Sequence, residues 1–260
     1  MSARLLVIAG SDSSAGAGIQ ADLKTAEAFG VYAQTAITAV TVQDTKSVHA
    51  VQLMPPELVR AQIETALGDI GADAIKIGML GSGAIAAAVA DALESSAVPV
   101  VLDTVILSSS GTALLDEEGV EILRKRLLPR AALVTPNRPE AEAITGILPK
   151  SDHSRRNSAQ AFNLMGARQV LFKDGHGEGA TVRDVLVIGD KEFIFEAPRQ
   201  QTRHTHGTGC TLATAIACGL AQGLGLKDAV ARGHAFVQDA LHAAPGLGEG
   251  HGPLGHRKKD

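Results

Sequence analysis

The run His206-Gly207-Thr208-Gly209-Cys210 is followed at once by an apolar pattern at helical spacing. Glycines in front of a helix leave its first amide N–H groups free to converge, and the helix dipole favours an anion there. Gly207, Thr208 and Gly209 therefore offer a cradle for a phosphoryl group in transfer, with the Cys210 sulfur where a thiolate is stabilised. A plain glycine turn feeding a helix, with Cys210 as a small core residue, fits the same residues. Asp103 closes the apolar run 98–102, a place suited to metal or substrate work and equally to a turn aspartate. Lys173 ends the run 170–172, where a single ammonium can act as a point charge on phosphate oxygens or lie on the surface. Asn137 and Glu140 stand three apart where a strand gives way to a helix. They can face one way and hold a hydrated Mg2+ through water, or they can simply start the helix.

Two more polar residues fall near strand ends. Gln43 follows the run 36–42, and an amide there can pair with a heterocycle edge through donor and acceptor together. Asp22 falls one turn into the first helix and can point back toward the strand rim. Gly16-x-Gly18-x-x-Ala21 invites a dinucleotide reading, but it lies well beyond the end of the first strand. No Gly-x-x-x-x-Gly-Lys-Ser/Thr run is present, which excludes a Walker-type nucleotide loop. His204, His206, His234, His251 and His256 lack metal-ligand spacing, and most of them read as loop or surface residues.

These residues need a scaffold that gathers them. Short apolar runs at 5–9, 36–42, 74–77, 98–102, 132–135 and 170–172 alternate with helical patterns at 19–29, 56–67, 84–93, 117–127, 139–145 and 159–165. The runs 184–188 and 192–195, joined by Gly189-Asp190, predict a hairpin at one sheet edge. Two closing helices, about 210–222 and 227–243, lead to a glycine-rich tail over 245–260, read as a flexible end or as a cover for a site. Such alternation predicts one α/β domain over 1–260, with a mostly parallel sheet covered by helices on both faces. In such sheets ligands bind at the carboxyl ends of strands. Gly10, Gly78, Asp103, Asn137 and Lys173 all lie just past runs read as strands, so the fold should gather them along one rim.

Composition narrows the class of partner. Of 260 residues, 45% are hydrophobic and 20% charged, the formal charge is −4, and there is no Trp and one Tyr. A mildly acidic chain short of aromatics is ill suited to nucleic acid, and its basic runs are short, such as Arg257-Lys258-Lys259 at the C-terminal end. Two cysteines outside any Cys-x-x-Cys pair argue against a disulfide framework or a zinc site. No apolar run reaches membrane-spanning length, and the expected compartment is cytoplasmic.

Taken in order, the motifs resemble those of bacterial hydroxymethylpyrimidine/phosphomethylpyrimidine kinases, which have a ribokinase-like fold. The resemblance spans Ile8-Ala9-Gly10-Ser11-Asp12, Gly16 to Lys24, Thr38 to Gln43 and Lys76-Ile77-Gly78-Met79-Leu80. It continues through Leu102-Asp103-Thr104-Val105, Thr135 to Glu140, Thr205 to Cys210 and Gly250-His251-Gly252-Pro253. It implies a three-layer sandwich and two successive transfers from MgATP, first to a hydroxymethyl group and then to the resulting monophosphate. By resemblance, Gln43 pairs with the pyrimidine, Asp22, Ala17 and the backbone at Gly10 help to place it, and Met79 and Val105 wall the ring. Asn137 and Glu140 organise Mg2+ with Asp103 nearby, Lys173 and Thr208 contact the nucleotide phosphates, and Gly207 to Cys210 form the anion hole. Cys210 stands where sugar-kinase relatives carry an aspartate base, and a thiol lowered by the helix terminus would accept the hydroxyl proton. The family resemblance also suggests a homodimer.

Departures are few. Lys173-Asp174-Gly175-His176 stands where relatives read Lys-Gly-Gly-His, His204 replaces a common asparagine, and His234 aligns with a lysine of some members. A vitamin B6 kinase acting on pyridoxal or pyridoxine is the near alternative. An NAD-dependent oxidoreductase built on Gly16 and Gly18, or a non-catalytic pyrimidine-binding protein, are alternatives of a different class.

Overall fold

The computed structural model describes residues 2–107, 113–174 and 179–256. Among these residues nine strands form one sheet: β1 (Arg4–Asp12), β2 (Tyr32–Gln43), β3 (Val48–Leu53), β4 (Ala74–Ile77), β5 (Val100–Leu102), β6 (Leu133–Val134), β7 (Gln169–Phe172), β8 (Thr181–Ile188) and β9 (Lys191–Pro198). Their order is β3-β2-β1-β4-β5-β6-β7-β8-β9. The six strands from β2 to β7 in that order are parallel, with β3 antiparallel at one edge and the β8–β9 hairpin at the other.

Alternate residues of the central strands feed two different cores, as a parallel sheet covered on both faces requires. Leu6, Ile8, Ile75, Ile77, Val100 and Leu102 point to one face. They meet α2 (Pro56–Gly68), α3 (Gly83–Ala92), α4 (Glu117–Ile122), α5 (Arg138–Thr145) and α6 (Asp152–Leu164). Leu5, Val7, Ala9, Val101, Leu133 and Leu171 point to the other, against α1 (Gly18–Ala28), α7 (Thr208–Ala221) and α8 (Leu226–His242). Helix α7 buries nine of its residues and is built from Ala, Thr, Gly, Leu, Ile and Cys, so it lies close against the sheet. The expected three-layer α/β sandwich with an edge hairpin is the observed one.

Several boundaries differ from the sequence reading, each for a physical reason. Strand β1 runs past Gly10 to Asp12, because a register shift between Ala9 and Ser11 lets Ser11 and Asp12 pair with Val40 and Thr41. Strand β3 has no central-strand pattern, since its middle residues are exposed at the sheet edge. Helix α6 begins at Asp152, seven residues before the apolar pattern, because Ser151 caps it and Arg155 is buried by pairing with Asp152 and Glu192. The helix read over 117–127 changes into a wider π turn at Leu123–Leu127. No helix among the described residues is long and apolar enough to cross a membrane.

Strand order reverses between β1 and β4: the chain moves outward from β1 to β2, then returns to the other side of β1 at β4. A crevice opens at the carboxyl ends of strands at such a reversal. Gly10 and Gly78 stand there, and Asp103, Asn137 and Lys173 follow along the same rim past β5, β6 and β7. The tail is not the flexible end expected, at least as far as His256. Gly250 and His251 donate to Thr45, Gly252 accepts from the His206 N–H, and Leu254 and His256 are buried. The remaining tail residues, with the basic run Arg257-Lys258-Lys259, lie outside the described residues.

Candidate active site

Helix α7 enters the site amino end first. Its N-cap is Gly207 at φ 84°, a left-handed conformation that favours glycine, and an added Cβ would lie 1.9 Å from the Gly16 carbonyl oxygen. Only glycine lets the loop before α7 close on the loop before α1. No side chain caps α7, so the first-turn amides at Gly209 and Cys210 stay available, as a helix start leaves its first N–H groups. The Thr208 hydroxyl donates to the Thr205 carbonyl at 2.6 Å, which ties down the turn.

Lys173 comes to this helix start from the far side. Strand β7 delivers it past Phe172, and its amide donates to the Pro136 carbonyl. Its Nζ donates to Asp103 Oδ1 at 2.7 Å and lies 3.8 Å from Glu140 Oε2. A Cβ built on Gly209 would be 3.4 Å from this Nζ and 3.6 Å from Asp103 Oδ2, so the ammonium, the carboxylate and the first turn of α7 share one space. Burial opposes the Lys173 charge, but Asp103 and Glu140 outweigh it and hold the ammonium above the ordinary lysine range. Asp103 is likewise penalised by burial, yet Lys173 and Lys76 hold it below the ordinary carboxylate range.

Glu140 is set by its helix. Asn137 is the N-cap of α5 and accepts from the Glu140 amide at 2.9 Å, while Glu140 Oε2 accepts from the Asn137 amide at 2.8 Å. This capping box, with the Thr104 hydroxyl on the same oxygen, fixes the carboxylate at the rim. Burial pushes Glu140 up to about 7, against the pull of Lys173 and with the push of Asp103. The expectation that Asn137 would be a metal ligand needs correction. Its oxygen is turned into the helix, and the NH2 that remains is a donor, suited to a phosphate oxygen rather than a cation. Asp103 and Glu140 supply hard oxygen donors on one rim, which fits Mg2+. Among the described residues no three His, Cys, Asp or Glu side chains form a direct metal cage.

Cys210 is half-buried between the two loops. Burial pushes its thiol up to about 11; Lys76 and the Gly18 amide favour the thiolate, while Asp22 and Asp103 oppose it. The expected lowering by the helix terminus does not occur, because desolvation and two carboxylates outweigh the dipole.

Asp22 is the second correction. It is fully buried, pairs with Lys76 Nζ at 2.8 Å and accepts from the Thr214 hydroxyl at 2.6 Å. Its role is to neutralise a lysine inside the sheet, and it presents no oxygen to a ligand. Burial raises Asp22 against the pull of Lys76, while burial of Lys76 is outweighed by Asp22, Cys210 and Asp103, which hold the ammonium protonated. The short contact and the hydroxyl donor fit an ionised pair.

The substrate-facing candidates gather on the β1–β2 side. Gly10 is buried beneath Met79, whose Sδ would be 3.0 Å from a Cβ at Gly10, and Ala17 caps α1 next to Gly207. Met79 and Val105 are half-buried on the loops that follow β4 and β5. The Gln43 side chain lies 3.1 Å from His206 Nε2. Two residues central to this arrangement were given no site role from the sequence. Asp12 is 3% exposed and gathers the amides of Ser14, Gly16 and Ala17, and His206 bonds to it at 2.8 Å. His206, His234 and His256 are buried, contrary to the reading of the histidines as loop or surface residues. The signal for Asp12 lay in its place between a strand and a helix, five residues before the helix N-cap.

The same loop disposes of the dinucleotide reading. The Gly16 and Ala17 amides are spent on Asp12, and a Cβ on Gly18 would be 2.3 Å from the Gly10 carbonyl, so this turn is packed against the strand. Asp174 is met by Arg138 at 2.5 Å, which removes its charge as an obstacle to phosphate. Gly175 and His176 lie outside the described residues.

Residues 12–255 match the family model described as phosphomethylpyrimidine kinase. The chain belongs to the phosphomethylpyrimidine kinase family. It is 44% identical over 252 residues to a hydroxymethylpyrimidine/phosphomethylpyrimidine kinase of Streptomyces coelicolor, covering 97% of this chain and 93% of that one. With the corresponding Bacillus subtilis kinase it shares 40% over 255 residues, 97% of this chain and 94% of that one. It spans 52% of a thiamine biosynthesis bifunctional protein of Geobacter sulfurreducens at 43% identity. Among solved structures, a Bacillus subtilis pyridoxal kinase with ADP superposes with a TM-score of 0.90 at 33% identity, covering 98% of each chain. A phosphomethylpyrimidine kinase of Clostridium difficile gives 0.81 at 39%, covering 91% of this chain and 98% of that one. The phosphomethylpyrimidine kinase fold is ribokinase-like, and the chain is a phosphotransferase.

Proposed function

We propose that this enzyme transfers the γ-phosphate of MgATP to the hydroxymethyl group of 4-amino-5-hydroxymethyl-2-methylpyrimidine, and then a second phosphate to the resulting monophosphate. One observation carries the reading. An ammonium held by Asp103 faces the uncapped start of α7, and the Gln43 side of the crevice adjoins that space through the contact of Gly207 with Gly16.

Phosphoryl transfer asks the protein mainly for position and charge neutralisation. Lys173 meets phosphate oxygens from one side, and the Gly209 and Cys210 amides receive the charge that develops on the moving group from the other. The Asn137 NH2 is free to donate to a phosphate oxygen. Glu140 and Asp103 would hold Mg2+, which would supply positive charge against the triphosphate. Gln43 orients the ring, with Gly10 and Ala17 allowing close approach and Met79 and Val105 as walls. A thiol that titrates near 11 is protonated at neutral pH, so Cys210 accepts the alcohol proton only in its minority thiolate form. The second acceptor is an anionic phosphate oxygen and needs no such base.

The test is product analysis by mass spectrometry with MgATP and a panel of heterocyclic alcohols. Mono- and diphosphate of the aminopyrimidine are expected. Faster turnover of pyridoxal would move the assignment to a vitamin B6 kinase, a class whose solved structure superposes with the higher TM-score, 0.90 against 0.81. Single-turnover rates separate the two steps. Cys210→Ala should slow the first transfer at least tenfold more than the second, and wild type should gain rate with pH toward about 11 in the first step only. Equal losses in both steps, or a flat profile, would remove Cys210 as the base.

A further inference from the structure

Three side chains from three distant stretches meet at one nitrogen. His206 Nε2 lies 2.8 Å from Asp12 Oδ2 and 3.1 Å from the terminal amide atom of Gln43 assigned as Nε2. Asp12 is 3% exposed and already accepts from the Ser14, Gly16 and Ala17 amides and the Ser14 hydroxyl. Burial acts to raise it, but His206, the Ala17 amide and Ser14 together hold it below the ordinary carboxylate range. At neutral pH it is ionised and can only accept. The proton on the 2.8 Å contact therefore belongs to His206 Nε2, whatever charge the ring carries.

That proton decides the direction of Gln43. A ring N–H cannot accept from an amide NH2, so an NH2 placed 3.1 Å away is unsatisfied, whereas an oxygen there takes a share of the N–H. The other end of the amide agrees. Thr41 Oγ1 donates to the Ser11 carbonyl at 3.1 Å, which leaves its oxygen ready to accept from the Gln43 atom 3.4 Å away. Turning the amide over satisfies both ends at once. The ring itself is held in place: the His206 amide donates to Gly252, and Gly16 leaves room for Cδ2, which a Cβ there would meet at 2.4 Å.

We propose that Asp12 and His206 form a positioning device that fixes the Gln43 amide with its oxygen on His206 and its NH2 outward, so that the enzyme selects a ring edge carrying an unprotonated nitrogen. The inference rests on the reading of Gln43 as the residue that faces the pyrimidine. Hydroxymethyl heterocycles with a bare nitrogen at that edge are accepted, and isosteres with C–H in its place are discriminated against.

Two measurements separate this inference from that reading. Histidine 15N resonances of the substrate-free protein should show a protonated Nε2 on His206, perturbed in Asp12→Asn. A bare Nε2 with the proton on Nδ1 overturns the device, whatever the enzyme phosphorylates. In kinetics, His206→Phe should raise KM for the aminopyrimidine alcohol about tenfold, as loss of one orienting hydrogen bond does, with KM for MgATP moving less than twofold. His206→Gln, which returns an N–H near the Nε2 position, should recover most of that change. Wild type should disfavour the C–H isostere about tenfold, and His206→Phe and Gln43→Leu should both lose that preference. Equal shifts in both KM values, or discrimination that survives in Gln43→Leu, overturns the proposal. Failure of wild type to phosphorylate any pyrimidine alcohol would instead remove the reading on which it rests, while the tautomer is still read from the spectrum.

Discussion

Two lysines flank Cys210, each bonded to an aspartate, and they have opposite fates. Lys76 lies within β4 and points between α1 and α7, where it and Asp22 are 0% exposed. Lys173 lies just past β7, where its side chain is 12% exposed and opens toward the start of α7. The first pair has every partner supplied by the protein: Asp22 takes the ammonium on one oxygen and the Thr214 hydroxyl on the other. The second is deliberately over-supplied with negative charge, because Asp103 and Glu140 both press on one ammonium. A sealed pair can only hold the fold, whereas a pair at the rim can exchange a carboxylate for a phosphate. Position along the strand decides which: one residue inside the sheet, the other beyond its end.

The comparison is broken most directly by unpairing the sealed lysine. Lys76→Met leaves Asp22 buried without its partner and should cost about 3–5 kcal/mol of stability, read as a lower midpoint in urea. Lys76→Met with Asp22→Leu should recover much of it. A single variant as stable as wild type would mean the pair is not what fills this part of the core. Next comes the rim lysine. Lys173→Ala should lower turnover roughly 100-fold or more, as loss of a charge-stabilising group does, with a smaller change in melting temperature than Lys76→Met. A reversal of those two ranks would undo the distinction. The smallest effect is a pH dependence at Glu140. Its folded carboxyl is raised to about 7, so between the ordinary range near 4.3 and about 7 the native state keeps a proton that the unfolded chain releases. Its contribution is therefore complete at acid pH and is lost as pH rises through about 7. Urea midpoints of wild type relative to Glu140→Gln should fall across that window, and a constant difference would contradict it.

Much of the scaffold was legible because the central parallel strands are mostly apolar and are followed closely by Gly, Asp, Asn or Lys. The rim residues Gly10, Asp103, Asn137 and Lys173 could be placed from that alone. What the sequence hid was direction and partnership. Asp22 looked able to reach the rim, but nothing local states that Lys76, 54 residues on, needs it inside. Cys210 sits at a helix start, which lowers a thiol in isolation, yet burial, helped by Asp22 from α1 and Asp103 from the end of β5, reverses the sign. Asp12 and His206 are 194 residues apart and each reads as a loop residue until the two turns are packed. Edge strand β3 was missed because an edge needs no apolar pattern to pair.

The strap formed by Gly250 to His256 closes a very long circuit, since its bond to Thr45 joins positions 205 residues apart. During synthesis the sheet can form its first strands early, but the turn after Gln43 and the loop carrying His206 gain their common brace only when the strap has emerged. Contacts of such separation form slowly, and they come after the local ones. Enzyme freshly refolded from denaturant should thus regain its helical signal before it regains turnover.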